Sequence, residues 1–119
     1  MLKKIHIPIF SGYLLLYQDC DVEEVCKKHG FSNDICDAMT GVDHYRNDIL
    51  AFVTIFINKN DLNTMAHEAV HFAHFLIREA AMNEDEELIA YLSGWFMEQC
   101  SKYLWIDIRG SAILKEAKK

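Results

Sequence analysis

The sequence predicts an α+β domain: a small, twisted, mainly antiparallel three-stranded sheet packed on a central helix and on a second, C-terminal helix. Three observations predict it. Ile49 to Ile57 is an unbroken run containing Val53-Thr54-Ile55-Phe56-Ile57, the pattern of a strand buried on both faces. After it, Met65, Ala69, Phe72 and Leu76 recur at helical spacing, with Ala66, Val70, Ala73 and Ile77 as a second stripe. A helix apolar on so much of its circumference is expected in the interior of its domain. Finally, 119 residues, 51% of them apolar, suffice for one core and a single domain over residues 1–119.

Taken in order, Lys4 to Phe10 and Tyr13 to Tyr17 read as strands joined by a tight turn at Ser11-Gly12, with Pro8 suited to a strand edge or end. Asp21 to His29 reads as a short helix, capped by Asp19 or Asp21 and closed by Gly30. Phe31 to Asp48 is polar and turn-rich, with Ser32-Asn33-Asp34 and Thr40-Gly41 as breakers and room for one helical turn. Asn58-Lys59-Asn60-Asp61 ends the third strand, and Asp61 or Thr64 caps the helix that runs to about Ile77. Asn83-Glu84-Asp85-Glu86 has capping-box spacing and opens a last helix ending near Trp105. The element order is β-β-α-β-α-α.

Charge and composition narrow the function. A net charge of -6 argues against broad nucleic-acid binding, and the one basic run, Lys115 to Lys119, reads as a solvated helix end. No stretch approaches the roughly 20 apolar residues of a membrane span. The N-terminus carries no signal-peptide pattern, so a soluble, cytoplasmic protein is expected. Cys20, Cys26, Cys36 and Cys100 match no zinc-knuckle spacing and read as small buried or half-buried thiols.

The chemistry sits in Thr64-Met65-Ala66-His67-Glu68-Ala69-Val70-His71-Phe72-Ala73. Histidines four residues apart project from one helix face, so both imidazoles can bind one metal ion without bending the backbone. Glu68, beside them, can reach a water in the metal's open position. Catalytic zinc sites usually have three protein ligands plus water. The start of the last helix offers Glu84, Asp85, Glu86 and Glu87, and an antiparallel hairpin is expected to bring Glu87 to about the height of His71. Glu87 shares a face with Tyr91 and Gly94, beside Ala90, where small residues let helices approach. The other three carboxylates are explained by capping and the helix dipole. His74 lies on the histidine face, too far along the axis from His67 for all three to bind one ion easily, and reads as a packed side chain in preference to one that orients a ligand.

These residues resemble the zincin metallopeptidases. Thr64 to Ala73 fits their extended motif, and Glu87-Leu88-Ile89-Ala90-Tyr91 is similar to the Glu-x-x-Ala element of the gluzincin branch. The strand–helix–helix arrangement is similar to small metallopeptidase-like proteins of bacteriophages and prophages, over about residues 49–105. The resemblance implies a minimal zincin-like fold whose edge strand holds an extended protein or peptide substrate. It implies one Zn2+ held by His67, His71 and Glu87, with Glu68 as general base. Two departures stand out: the chain has no length for a second subdomain, and Tyr91 occupies the position where several gluzincins place an Asp that orients a zinc-bound His.

The oxyanion donor is expected among Tyr91, His44, Tyr45 and Tyr103, with Tyr91 foremost because it lies one turn beyond Glu87. The rival reading is a zinc-binding adaptor or inhibitor without catalysis, which the small size favours. Retention of Glu68 at the base position argues against it.

Overall fold

A computed structural model describes residues 2–8, 12–32, 37–44, 50–57, 61–80 and 85–104. Its elements are β1 (Leu2–His6), β2 (Gly12–Gln18), α1 (Val22–His29), β3 (Ala38–His44), β4 (Leu50–Phe56), α2 (Leu62–Glu79) and α3 (Glu86–Tyr103). The strands form one four-stranded sheet in the order β1-β2-β4-β3. The α+β class therefore stands, whereas the expected three-stranded, mainly antiparallel sheet is corrected in two respects.

First, there is a fourth strand. Residues 38–44, read from sequence as part of a turn-rich segment, pair antiparallel with β4 from Ala38↔Phe56 to His44↔Leu50. Thr40-Gly41 looks like a breaker, but Gly41 has a packing reason. A Cβ there would stand 2.8 Å from Cζ of Phe31, whose ring covers the strand. Second, the sheet is mixed. β1 and β2 pair antiparallel, but β2 and β4, the two central strands, run parallel from Gly12↔Leu50 to Gln18↔Phe56. Chain order does not reveal this, because α1 and β3 intervene between the paired strands.

Helix boundaries follow their caps. The Asp21 carboxylate accepts from the Glu24 N–H and Gly30 closes α1 in the left-handed region at φ 75°, as expected. Asp61 caps α2, accepting from the Thr64 N–H at 2.8 Å. Asp85 caps α3, its carboxylate taking both the Glu87 and Leu88 N–H groups. Phe10, Ser11, Cys36, Tyr45, Asn58–Asn60, Asn83, Glu84, Trp105 and the Lys115–Lys119 run lie outside the described residues.

The sheet separates two apolar clusters. Leu14, Leu16, Phe52 and Phe56 pack with Met65, Ala69, Phe72, Leu76, Leu92 and Phe96 of α2 and α3. The alternate strand residues Leu15, Tyr17, Ala51, Val53 and Ile55 pack with Val25 and Cys26 of α1. Strand alternation thus produces three layers, α1 on one face and the α2–α3 pair on the other. β4 is buried along nearly its whole length, as its unbroken apolar run predicts. Among the described residues, no helix is long and apolar enough to cross a membrane.

Candidate active site

The first turn of α2 sets the geometry. With Asp61 fixing where the helix begins, the 100° step per residue decides which side chain meets the sheet. Met65, Glu68, Ala69, Phe72, Ala73, Leu76 and Ile77 are buried, while Ala66, His67, Val70, His71 and His74 are exposed. The helix is therefore amphipathic, not interior. The stripe Met65-Ala69-Phe72-Leu76 is core, but Ala66 and Val70, the latter 45% exposed, face outward.

His67 and His71 consequently stand at the surface. Their Nε2 atoms approach to 3.1 Å, with ring centroids 4.8 Å apart. His71 stacks on Phe75, and the Arg78 guanidinium lies 4.8 Å from the same Phe75 ring, so a stack along α2 braces the His71 ring. Two nitrogens on a tetrahedral zinc ion, each about 2.0–2.1 Å from it, stand about 3.3 Å apart. The spacing of the pair fits two neighbouring corners of such a site. In the protein alone it is a hydrogen bond in which one ring donates and the other accepts; both Nε2 atoms must be unprotonated to ligate.

Glu68 points the other way, into the molecule, and is 4% exposed. Its Oε1 accepts a hydrogen bond from Thr40 Oγ1 at 2.9 Å, and its Oε2 stands 4.0 Å from His67 Nε2. A cleft of about 280 Å³ opens beside it, lined by Asp37 and Ala38 at the start of β3 and by Asn63, Thr64, His67 and Glu68 of α2. The carboxylate thus lies between the exposed histidine pair and a cleft lined by the start of β3, the last strand in the sheet order.

Glu87 is elsewhere. It is exposed in the first turn of α3, where its N–H donates to Asp85 Oδ1. Ser93 Oγ donates to the Ala69 carbonyl at 3.5 Å, and Phe72 packs on Trp95 and Phe96, which sets the helix pair in register. Glu87 is not among the residues that line the cleft beside Glu68. Among the described residues, no three His, Cys, Asp or Glu side chains form a group able to hold a metal.

Tyr91 is 66% exposed on α3 and does not line the cleft. Tyr103 lies beneath the ammonium groups of Lys3 and Lys102, His44 is exposed at the end of β3, and Tyr45 is outside the described residues. Asp37, Thr40, Thr54 and Asn63 border or support the site without having stood out in the sequence. The available signal was slight: two β-branched residues, Thr40 and Val42, on either side of Gly41. Comparison with family models, with curated proteins and with solved structures returns no match for this chain.

Proposed function

We propose that this chain is a zinc-dependent metallopeptidase of minimal zincin-like type, with His67 and His71 as metal ligands and Glu68 as general base. One observation carries the reading: two imidazole nitrogens converge to 3.1 Å beside a buried carboxylate that faces a cleft. Bound zinc would supply Lewis acidity, lowering the pKa of its water towards about 7 and polarising a carbonyl. Glu68 Oε2, on the His67 side, takes a proton from the attacking water and returns it to the leaving amine as the C–N bond breaks. β3, an edge strand among the described residues, would receive an extended peptide substrate along its outer side. Free thiols at Cys20, Cys26 and Cys100 suit a reducing cytoplasm.

We assign the third ligand position to Glu87 on its Glu-x-x-Ala context. The assignment carries a structural demand, since the first turn of α3 must close on His71 when metal binds. Tyr91, on the same helix face, moves with it and remains our candidate oxyanion donor.

Elemental mass spectrometry of the tag-free chain tests the reading. About one zinc per chain is expected, lost in His67→Ala and His71→Ala, and weakened more by Glu87→Ala than by Glu86→Ala. Glu68→Gln is expected to keep zinc and the fold while abolishing peptide hydrolysis. Retained zinc in both histidine variants refutes the ligand pair. Zinc binding with no cleavage of any peptide favours the rival reading, a non-catalytic adaptor or inhibitor.

A further inference from the structure

Thr54 is fully buried in the middle of β4, a poor place for a hydroxyl without a partner. The antiparallel register sets Thr40 of β3 directly opposite it, so both side chains emerge on the α2 face of the sheet. Their Oγ1 atoms are 2.9 Å apart, and Thr40 Oγ1 also lies 2.9 Å from Glu68 Oε1. A hydroxyl has one proton to give. An ionised Glu68 can only accept, so the Thr40 proton goes to the carboxylate and the Thr40–Thr54 contact uses the Thr54 proton. The chain of donors runs in one direction, Thr54 to Thr40 to Glu68, and each bond polarises the next.

We infer that Thr40, seated on Thr54, is a positioning residue that locks the carboxylate of Glu68. The terminal torsion of a glutamate is broad and twofold, so its two oxygens are interchangeable unless something tells them apart. Here Oε1 is held by the sheet, which leaves Oε2 on the side of His67, 4.0 Å from its Nε2. A general base must come within about 2.6–3.2 Å of the proton it takes, and a displacement of 1 Å can cost on the order of 100-fold in rate. A pair of hydroxyls on two hydrogen-bonded strands is a rigid way to meet that tolerance. The inference rests on the proposed role of Glu68, but the lock is a property of the folded chain without metal.

The test has two arms. With zinc-loaded full-length protein and unfolded casein as substrate, Thr40→Val is expected to lower kcat about 10- to 100-fold. KM and the zinc dissociation constant should stay within about twofold. Thr40→Ser should restore most of the rate. Wild-type kcat in Thr40→Val, or a Thr40→Ser variant no better than Thr40→Val, overturns the inference. The second arm is thermal unfolding of the metal-free chain. Thr40→Val is expected to lower Tm by about 4 °C or more, and by clearly less when Glu68→Met has already removed the acceptor, the remainder being the buried Thr54 hydroxyl left without Thr40. Additive losses overturn the lock. If the wild type cleaves no casein, the peptidase reading fails, and the unfolding cycle still decides whether Thr40 holds Glu68. Should Thr40→Val not fold, Thr54→Val carries both arms, with a smaller loss of rate.

Discussion

His29 shows how much a single residue can hold together out of sight of the candidate site. Its Nδ1 lies 2.7 Å from Asp43 Oδ2 and its Nε2 lies 2.9 Å from the Tyr17 hydroxyl, while its ring stacks on Phe31. An ionised Asp43 accepts only, so Nδ1 carries the proton, and in the neutral ring Nε2 accepts from Tyr17. One imidazole thereby ties α1 to both β2 and β3. His29→Ala is expected to cost about 2–3 kcal/mol of unfolding free energy in a urea titration, because it leaves a cavity and strips partners from two polar groups. A loss under about 0.5 kcal/mol would mean that water replaces the ring. The residue was legible as the last of a short helix. Its partners were not, since they sit on strands that only the three-dimensional sheet brings to it. The same division holds at the candidate site. His67, Glu68 and His71 are a local pattern on one helix and could be read directly, whereas Thr40 and Thr54 reach Glu68 through strand register.

Elements with local causes were the ones that sequence reading recovered. α1, α2 and α3 each begin at an aspartate whose carboxylate takes backbone N–H groups of the first turn, and α1 ends at a left-handed glycine. For α2 the cap also sets the rotation at which His67 faces out and Glu68 faces in. Asp61→Ala is expected to cost about 1 kcal/mol, read as a Tm lower by about 4–8 °C, and Asp61→Asn should recover most of it. Equal losses in the two variants would point away from capping. β3 escaped because its evidence is not local. Gly41 and Asp43 weaken its strand propensity, and what holds it is seven residue pairs along β4, the Phe31 ring over Gly41 and the His29 contact at Asp43.

At the scale of the whole molecule, the sheet is the partition from which the rest follows. Both its faces are covered, and Cys26 and Cys100 lie within the covered layers. Burial pushes the thiols of Cys26 and Cys100 up, so little thiolate exists on either near neutral pH. Alkylation followed by peptide mapping should therefore find both unmodified in the folded protein and modified once urea unfolds it. Labelling at the folded stage would show that the layers open.

The central pairing of β2 with β4 has a bearing on how such a chain comes into being. Tyr13 must find Ala51, so α1 and β3 both have to be accommodated in the intervening loop before the middle of the sheet exists. A chain emerging from synthesis can close the β1–β2 hairpin early, since its pairing is between near neighbours. It cannot seat α1 on a finished sheet, or give β3 a neighbour, until β4 arrives. The two threonines that hold Glu68 wait on the same event. Whatever the site does, it requires that β4, the strand next to the motif helix, has joined the first strands made.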